Sequence, residues 1–481
     1  MTRTSPVPAI TVGMLVDAVG GVWVQGTASA QTYWLNARID SRLIEKGEIF
    51  IALPGTKSDG HSFLEEARRR GALLAIVGRK VENSLLPQLI VADPMLALRE
   101  MGRLALLAHR ESGHRLVALT GSVGKTTTKE LIKLALSSAG RIHATKANEN
   151  NEIGVPLTLL SWPCDASYCV LEVGVRKASD IDYLAPLLRS DVGIVTAIGP
   201  GHLEHLRTIE EVWREKSKLL RCVVPGGTRI VPEPVRTMFP EDPIFSGGEA
   251  DMLVVATLQD IGETPEKNVD ARIDPTPSGF ILRVFREKGK GDLCLSLSRP
   301  SVALAWCSLL ALLVVQALGE DIVAASRSLS DYDGLSGRME RRRHSSGLLL
   351  LLDHYNANPA SMKEALSWLA REMSMRPGSR GFAILGDMLE LGGESGRYHE
   401  IMGEQTAALS LETLWYKGEQ RPSFEAGFRR GGGDTGRIRT ADTFESDLIS
   451  GQGPSGGDVL LVKGSRGMKL EGVVAPLIGK G

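Results

Sequence analysis

Short apolar runs alternate with amphipathic stretches along most of the chain. In its middle, the apolar runs Leu116–Leu119, Tyr168–Glu172 and Val192–Ala197 each end in polar or Gly-rich residues. Strands with this pattern are typical of a mostly parallel sheet with helices on both faces. The sequence therefore predicts the α/β class for this region.

The same alternation continues on both sides of this region. Toward the N-terminus it predicts helices at Ser62–Gly71 and Met95–Arg110, with strands at Leu73–Val77 and Leu89–Val91. Toward the C-terminus it predicts a second doubly wound sheet. The predicted strands of that sheet are Leu348–Leu352, Phe382–Leu385, Thr413–Tyr416 and Val459–Val462.

Changes in composition and in the pattern of predicted strands and helices divide the chain into three predicted domains. These are a small α/β domain at 1–112, a central domain with a mostly parallel sheet at 113–330, and a Rossmann-like domain at 331–481. A chain of 481 residues is too long for one ordinary core, which agrees with this division. Between Gly226 and Ser298, a Pro/Gly-rich stretch with alternating segments such as Gly279–Phe285 indicates antiparallel strands.

The composition excludes two classes of partner. The net charge is −1, so the chain has no electrostatic footprint for nucleic acid or an acidic membrane surface. The five cysteines are scattered without metal-ligand spacing, which favours a reduced, cytoplasmic setting. The apolar segment Val302–Leu318 is short for a membrane span and contains Ser308 and Gln316. We therefore expect a buried helix there and no stable membrane insertion.

The stretch LVALTGSVGKTTTKEL, residues 116–131, is the most specific chemical signal in the sequence. A buried strand leads into a Gly-rich loop, whose backbone N–H groups can converge on phosphates at the start of a helix near Thr127. Lys125 can reach the β- and γ-phosphates, and the Thr126 hydroxyl can ligate Mg²⁺. The motif is not a full Walker A, because Leu119 stands where the first Gly would be. The predicted nucleotide site comprises Gly121, Ser122, Gly124, Lys125, Thr126 and Thr127.

Two titratable residues follow the next strands of the middle region. Glu172 ends one apolar run, and His202 lies in the Gly-rich turn after another. Because ligands collect beyond the carboxyl ends of parallel strands, both can complete a Mg²⁺ site beside Thr126. Taken singly, a strand-end Glu is usually a surface residue, and a loop His is usually solvated. Lys216, in the charged helical stretch Glu210–Leu220, has the pattern of a solvated lysine.

Other polar clusters can bind substrate, each with a structural alternative. Asn148–Asn151 can orient a polar group or simply form a turn. Asp353–Pro359, DHYNANP, follows a strand and can bind a ligand or cap the next helix. Lys463–Arg466 offers two cations and a backbone nest for an anion. In the first region, Asp40–Arg42 combines a turn with an Arg and a hydroxyl, as in an anion-binding edge.

These motifs together resemble the Mur ligases, the ATP-dependent amide-bond ligases of peptidoglycan synthesis. The features shared with the whole family are Thr120–Thr127, Glu172, His202 and Lys216. Within the family, the chain is most similar to the ligases that add D-alanyl-D-alanine to UDP-N-acetylmuramoyl-tripeptide. The selecting segments are ATKANENNEIGVPLTLL at 144–160, YNANP at 355–359, GDMLELG at 386–392 and KGSRGMKLE at 463–471. The resemblance covers about Asn36 to Glu471.

The resemblance implies a UDP-sugar-binding domain, a central ATPase domain and a C-terminal Rossmann-like domain. It also implies ATP and Mg²⁺, and a lysine carbamate made from CO₂ at Lys216. The implied catalytic residues are Lys125, Glu172, His202 and Lys216. The implied metal ligands are Thr126, Glu172, His202 and the Lys216 carbamate, in which the cation has become an anion. Such a lysine needs a depressed pKa, since only the neutral amine reacts with CO₂.

The remaining implied contacts involve both outer domains. Arg338 and Asp353 match positions that contact ATP when the C-terminal domain closes, with the Gly/Ser-rich turn Gly334–Gly337 as candidate hinge. The implied substrates are UDP-N-acetylmuramoyl-tripeptide, whose third residue is a diamino acid, and D-alanyl-D-alanine, joined through an acyl phosphate. We expect a monomer. The implied substrate-binding residues are Ser41, Arg42, Asn150, Asn151, Tyr355, Asn356, Asn358, Lys463, Ser465 and Arg466.

The sequence departs from the family pattern at three places. Leu304 stands where the family has an Asn that helps to hold adenine, so other groups must contact the base. Ala197 replaces the Asn of a strand-end Asn-Ile-Gly. After Glu172, the usual Met-Gly-Ala-Asn is Val173-Gly174-Val175-Arg176.

Four interpretations compete at this point. The D-alanyl-D-alanine-adding ligase is favoured by YNANP and GDMLELG, which argue against the diaminopimelate-adding Mur ligase and folylpolyglutamate synthase. A catalytically silent nucleotide-binding paralogue would have no need of Lys125, Glu172, His202 and Lys216 together. A P-loop GTPase or kinase is disfavoured because no guanine-reading Asn-Lys-x-Asp segment occurs.

Overall fold

The computed structural model describes residues 10–24, 36–55, 58–201, 203–245, 252–259, 270–276, 279–286, 291–297, 301–332 and 334–478. Within these ranges the strands form four sheets. Three of the sheets are mostly parallel and are covered by helices, so the predicted α/β class is confirmed. The domain limits at residues 112 and 330 stay predictions.

The first sheet contains strands that are apolar on both faces. Its strands are Val22–Val24 (β1), Ala37–Arg38 (β2), Ile49–Ile51 (β3), Leu74–Val77 (β4) and Gln88–Ile90 (β5). They stand in the order β1-β5-β4-β3-β2, and β1 alone runs antiparallel to its neighbour. β3 and β4 are buried throughout, as parallel strands between helices require. The helices of this part are Val12–Val19 (α1), Leu64–Arg69 (α2) and Pro94–Glu111 (α3).

The central sheet is parallel throughout and holds the phosphate loop at its middle. Its strands are Arg115–Thr120 (β6), Arg141–Ala144 (β7), Ala166–Glu172 (β8), Val192–Val195 (β9), Thr228–Pro232 (β10) and Met252–Ala256 (β11). In the order β11-β10-β9-β6-β8-β7, the first strand β6 lies between β8 and β9. The carboxyl ends of these three strands therefore meet, as expected for a ligand site.

Seven helices connect the strands of this sheet within the described residues. They are Lys125–Ala135 (α4), Gly154–Leu160 (α5), Asp180–Leu184 (α6), Leu203–Leu206 (α7), Ile209–Lys216 (α8), Lys218–Arg221 (α9) and Glu233–Met238 (α10). The predicted helical stretch Glu210–Leu220 is interrupted at Ser217, where α8 ends and α9 begins.

A four-stranded sheet follows the central one. Its strands are Leu258–Gln259 (β12), Ala271–Thr276 (β13), Gly279–Val284 (β14) and Leu293–Leu297 (β15), and β13, β14 and β15 pair antiparallel, as predicted. The helices Val302–Ala317 (α11) and Ile322–Ser330 (α12) come next. α11 is apolar all round because it packs between α4, α12 and this sheet in one core. In the part of the chain that the structure describes, no helix has the length and apolar character to cross a membrane.

The C-terminal sheet brings a second set of strand ends together. Its strands are Glu340–Arg343 (β16), Leu349–Asp353 (β17), Gly381–Gly386 (β18), Thr413–Lys417 (β19), Ile438–Thr440 (β20) and Val459–Lys463 (β21). In the order β16-β17-β21-β18-β19-β20, all pairs except β16 with β17 are parallel. Its helices are Pro359–Ser374 (α13), Ser395–Ala407 (α14), Arg421–Arg430 (α15), Phe444–Ile449 (α16) and Leu470–Ile478 (α17).

Two buried histidines mark the passage from α3 to β6. The Nδ1 atoms of His109 and His114 are 2.9 Å apart, and the His109 ring stacks on Trp162 with centroids 4.1 Å apart. Burial, followed by the charge of His114, lowers the pKa of His109 to about 4. The folded protein therefore favours the neutral imidazole at this junction.

We expect this histidine to make stability depend on pH. The unfolded chain takes up a proton near pH 6.5 and the folded chain only near 4. The contribution of His109 to the free energy of unfolding is therefore complete above about pH 6.5. It decreases as the pH falls toward 4, and the loss is ~3 kcal/mol at most. Urea unfolding at pH 7.5 and pH 5 measures this loss. His109→Phe keeps a ring on Trp162 and should flatten the pH dependence; an unchanged slope in this variant would contradict the assignment.

Candidate active site

The phosphate loop joins β6 to α4 by a path that only glycine allows. α4 begins at Lys125, two residues before the predicted start near Thr127, and its N-cap Gly124 has a φ of 84°. A Cβ atom on Gly121 would lie 2.1 Å from Oγ1 of Thr196, at the end of β9. Both glycines of the motif are therefore required by the backbone.

Hydrogen bonds hold the loop against the segment that follows β9. The Ser122 N–H donates to the Ala197 carbonyl at 2.8 Å, and the Ser122 hydroxyl donates to the Gly199 carbonyl at 2.9 Å. The Thr196 hydroxyl donates to the Val123 carbonyl at 2.6 Å. The α4 N-terminus, where Thr127 follows Thr126, is thereby held in place for phosphate binding.

Lys125 lies over the loop that precedes it. Its Nζ donates to the Gly121 carbonyl at 2.7 Å. Burial lowers the pKa of Lys125, and the charge of Arg338 lowers it further, whereas Glu172 opposes the shift. Both a carboxylate of the central domain and a guanidinium of the C-terminal domain therefore act on this ammonium.

The C-terminal domain also contacts the loop directly. The Asn358 side chain caps α13 by accepting from Ser361 N at 2.9 Å, which confirms the capping alternative. Its Nδ2 donates to the Ser122 carbonyl at 3.4 Å. A second contact between the domains joins the Ser301 hydroxyl to Oε1 of Glu364 at 2.8 Å. The phosphate loop therefore lies at the boundary between two domains.

Glu172 is a buried carboxylate with one free oxygen beside the loop. Its Oε1 accepts from the Thr126 hydroxyl at 3.2 Å and from Asn150 Nδ2 at 2.9 Å. Its Oε2 is buried and has no hydrogen-bond partner among the described residues. A carboxylate oxygen and a hydroxyl at the end of a phosphate loop fit the hard-oxygen ligation that Mg²⁺ prefers.

Lys129 and Thr145 support Glu172 and were missed by the sequence analysis. Lys129 is buried, its Nζ donates to the Thr145 carbonyl at 2.7 Å, and it lies 3.8 Å from Oε2 of Glu172. The Glu172 N–H donates to the Thr145 hydroxyl at 2.9 Å. Since Lys129 follows Lys125 by four residues on α4, the helical spacing was a signal for a second inward-facing lysine.

Lys216 is fully buried, so its interpretation as a solvated lysine is wrong. Its Nζ has no hydrogen-bond partner among the described residues. Burial and then the charge of Lys125 place the pKa of Lys216 well below its ordinary value, whereas Glu215 and Asp180 act in the opposite direction. The folded chain therefore favours a neutral amine near the loop. His202, the fourth predicted metal ligand, lies outside the described residues.

The two predicted asparagines of the central domain have different surroundings. Asn150 contacts Glu172, whereas the Asn151 side chain accepts from the backbone of Ile153 and Gly154 at 3.3 and 2.9 Å. Asn151 thus holds the turn before α5, in agreement with the alternative of a structural turn. The predicted pair therefore contains one residue at the candidate metal site and one that shapes the loop.

The ends of β17 and β21 form an ion pair below the DHYNANP segment. Lys463 Nζ lies 2.8 Å from Oδ2 of Asp353 and donates to the Asn356 carbonyl at 2.7 Å. Oδ1 of Asp353 accepts from Met339 N at 3.1 Å. Lys463 is buried, so its charge stabilises this loop rather than standing free in solution.

Two arginines lie against the ring of Tyr355, at the same edge of the C-terminal sheet. The guanidinium carbon of Arg338 lies 3.9 Å from the ring centroid, and that of Arg466 lies 5.0 Å from it. The Ser465 hydroxyl accepts from Leu389 N at 2.9 Å. The aromatic ring therefore holds two cations near each other, where an anionic group can bind both.

The GDMLELG segment is held by its own buried network. Asp387 accepts from the Tyr416 hydroxyl at 2.9 Å and from Glu419 N at 2.7 Å. His399 accepts from Met388 N at 2.9 Å through Nε2, which requires a neutral ring, and burial lowers the pKa of His399. The segment thus shapes the edge of the site.

The predicted residues of the first domain belong to a local cluster. The Ser41 hydroxyl donates to Oε2 of Glu66 at 2.5 Å. Arg42 is exposed and pairs with Asp40 through Nη2 and Oδ2 at 2.7 Å, and this hydrogen bond lowers the pKa of Asp40. Arg42 therefore remains accessible to an anionic ligand.

The replacement at Leu304 is explained by packing. Leu304 is buried in the core shared by α11, α4 and the four-stranded sheet. A side chain in that core offers no group to a purine base. Ala197 instead contributes its carbonyl to the phosphate loop through Ser122.

Three family models match the chain in the order of its three α/β parts. They are "Mur ligase family, catalytic domain" at residues 36–112, "Mur ligase middle domain" at 119–239 and "Mur ligase, glutamate ligase domain" at 337–466. The UDP-N-acetylmuramoyl-tripeptide–D-alanyl-D-alanine ligase of Bacillus subtilis is 30% identical over 93% of this chain and 94% of its own. The corresponding Escherichia coli ligase is 30% identical over 98% of both chains.

Solved structures agree with these relatives. MurF from Acinetobacter baumannii superposes with a TM-score of 0.82 at 27% identity, covering 99% of this chain and 100% of the other. MurF from Thermotoga maritima in complex with ADP gives 0.74 at 25% identity, covering 91% and 96%. The three α/β parts, the phosphate loop with its buried carboxylate, and the named relatives together place the chain among ATP-dependent ligases. The chain belongs to the Mur ligase family.

Proposed function

We propose that this protein uses ATP to join D-alanyl-D-alanine to UDP-N-acetylmuramoyl-tripeptide in the cytoplasm, as a step in peptidoglycan precursor synthesis. The observation that carries the proposal is the hydrogen bond from Asn358 of the C-terminal domain to the phosphate loop, together with the charge of Arg338, which lowers the pKa of Lys125. Hydrolysis of ATP alone would need no such second surface, whereas a ligase must bring an amine to the activated group. The two full-length relatives named for this reaction support the choice of substrates.

The residues of the chain account for the two chemical steps. The terminal carboxylate of the tripeptide attacks the γ-phosphorus of ATP, forming an acyl phosphate as the bond to ADP breaks. Lys125 and the loop N–H groups neutralise charge on the transferred phosphoryl group. The neutral amine of D-alanyl-D-alanine then attacks the acyl carbon, and phosphate leaves from the tetrahedral intermediate. Closure about Gly334–Gly337 would exclude water from the acyl phosphate.

The metal site would include Thr126 and Glu172, completed by His202 and a modified Lys216. Bound Mg²⁺ supplies positive charge that offsets the triphosphate. The neutral amine of Lys216 attacks CO₂, forming one N–C bond and releasing one proton, and a carbamate results. Burial lowers the pKa of Lys216, which favours the neutral amine that reacts with CO₂, and the carbamate would then place a negative charge at this position.

The outer domains would hold the two ends of the substrates. Arg338 and Asp353 are assigned to ATP, and Tyr355, Asn356, Ser465 and Arg466 to D-alanyl-D-alanine. Asn358 and Lys463 are assigned to positioning the loop that would contact the substrate. Their side chains already form hydrogen bonds with the backbone of this protein. Ser41 and Arg42 are assigned to the UDP group. We assign a monomer without nucleic-acid or membrane partners.

One assay tests the proposed function. Purified protein is mixed with ATP, Mg²⁺, UDP-N-acetylmuramoyl-tripeptide and D-alanyl-D-alanine, and phosphate release and product mass are followed. We expect phosphate and a UDP-N-acetylmuramoyl-pentapeptide in equal amounts, and neither when one substrate is omitted. Phosphate release only with folate and glutamate, or none with either pair, would contradict the proposal.

A further inference from the structure

Lys129 is a buried cation next to the candidate metal ligand Glu172. It lies on α4 one turn after Lys125, and only 1% of its side chain is exposed. Its Nζ donates to the Thr145 carbonyl at 2.7 Å. Burial removes the hydration of an ammonium group, so a buried lysine needs protein oxygens or anions around it. The groups that surround Lys129 therefore show which charge it compensates.

Two carboxylates lie near this ammonium. Oε1 of Glu130 is 3.2 Å from Nζ, and Oε2 of Glu172 is 3.8 Å from it. Glu130 is partly exposed, so water screens its charge, and it also pairs with Lys133 at 3.6 Å. Glu172 is only 3% exposed, and its Oε2 has no hydrogen-bond partner among the described residues. The charge of Lys129 therefore acts most strongly on the buried carboxylate.

Thr145 holds the lysine and the carboxylate in this arrangement. Its carbonyl accepts from the Lys129 ammonium, and its hydroxyl accepts from the Glu172 N–H at 2.9 Å. Oε1 of Glu172 is occupied by hydrogen bonds from the Thr126 hydroxyl and from Asn150 Nδ2. Oε2 is thus the oxygen that remains for a metal ion, and it is the oxygen nearest to Lys129.

Lys125 is a second cation that acts on Glu172, but its position differs. Burial lowers the pKa of Lys125, and the charge of Glu172 opposes this shift. The Nζ of Lys125 donates to a carbonyl of the phosphate loop, where bound phosphates would attract it. Lys129 is instead buried and bound to Thr145 behind the loop residues, so it stays beside Glu172 when a nucleotide binds. Without a nucleotide, the single carboxylate therefore has a permanent positive charge beside it, which repels a free divalent cation.

We propose that Lys129 is a built-in counter-ion of Glu172 that prevents a free divalent cation from binding there, so that the metal enters the site only together with the nucleotide. The phosphates of the nucleotide supply the negative charge that Glu172 beside Lys129 lacks. Lys129 is thus a positioning residue that acts through Glu172. The inference rests on the proposed function for the identity of the metal site, and it adds the order in which metal and nucleotide bind.

Binding of Mn²⁺ without nucleotide tests this order. Full-length protein is titrated with MnCl₂ in CO₂-depleted buffer, which keeps Lys216 an amine, and free Mn²⁺ is measured by electron paramagnetic resonance. We expect Lys129→Met to bind Mn²⁺ at least ~10-fold more tightly than the unaltered protein, because a repelling unit charge is removed from beside the ligand. Lys133→Met removes the same charge from an exposed position one turn further along α4 and should leave the affinity unchanged.

Two further variants keep the test readable if Lys129→Met is unstable. Lys129→Gln keeps a donor for the Thr145 carbonyl and should also tighten Mn²⁺ binding. Both single variants should melt at a lower temperature than the unaltered protein, because Glu172 is left buried without its counter-ion, and Mn²⁺ should raise their Tm more than it raises that of the unaltered protein. Lys129→Met/Glu172→Gln removes both charges, so it should fold and return to weak Mn²⁺ binding.

Two outcomes would overturn the inference. Mn²⁺ affinities of the Lys129 variants that equal or fall below that of the unaltered protein would show that Lys129 only supports the fold around Glu172. Tight Mn²⁺ binding that persists in the double variant would place the gained site elsewhere. Failure of the ligase proposal is separate: a protein whose Lys129 variants gain Mn²⁺ affinity, but which forms no pentapeptide from the proposed substrates, keeps this inference and loses the activity.

Discussion

Lys216→Ala is expected to reduce ligation by ~10³-fold or more, and small carboxylic acids are expected to restore part of the activity. The Lys216 side chain is fully buried beside the phosphate loop, so its removal leaves a space that formate or acetate can enter. The added acid would replace the carbamate anion, whereas an amine such as methylamine would replace only the original cation. Ligation is followed by product mass with and without each additive.

The controls separate the carbamate from an ordinary structural lysine. Arg214→Ala removes an exposed cation from the same helix α8 and should neither lose activity nor respond to acids. The unaltered protein should lose activity in CO₂-depleted buffer and regain it with bicarbonate. A Lys216→Ala variant of normal activity, or one rescued by methylamine and not by acids, would remove the carbamate from the mechanism.

Local patterns were enough to predict the phosphate loop. A strand, two glycines, a lysine and a helix are contiguous in the chain, and Gly121 and Gly124 take the backbone conformations that the motif requires. The strands at 382–385 and 459–462 were also predicted within one residue at each end, because buried parallel strands are continuous apolar runs. The order of the strands was not predicted, since pairing depends on contacts between distant segments.

The surroundings of the charged residues could not be predicted from local patterns. Lys216 occupies a charged helical stretch that resembles a solvated surface, yet it is fully buried, because α8 packs Val212 and Trp213 into the core of the central domain. Lys129 and Thr145 support Glu172 through contacts that span 16 and 27 residues. Only the family resemblance pointed to Lys216, and Lys129 was missed although it follows Lys125 by one turn of α4. Burial of a charge depends on tertiary packing, which single-chain periodicity does not contain.

Lys125→Met is expected to lower kcat/KM for ATP by ~10³-fold, mainly through kcat, because its ammonium stabilises charge that develops on the transferred phosphoryl group. Methionine is unbranched like lysine and only one atom shorter, so the loop and α4 should remain folded. Phosphate release under saturating peptide substrates measures the effect, and calorimetric titration with ADP separates loss of binding from loss of chemistry. Lys133→Met, a half-exposed position on the same helix, should retain normal kinetics. The Lys216 carbamate and Glu172 would both place a negative charge near Lys125, and these charges would keep the Lys125 amine protonated. Lys216→Ala should therefore also lower the pKa of Lys125. A Lys125→Met variant within tenfold of normal kcat would show that the loop N–H groups and Mg²⁺ neutralise this charge without the ammonium.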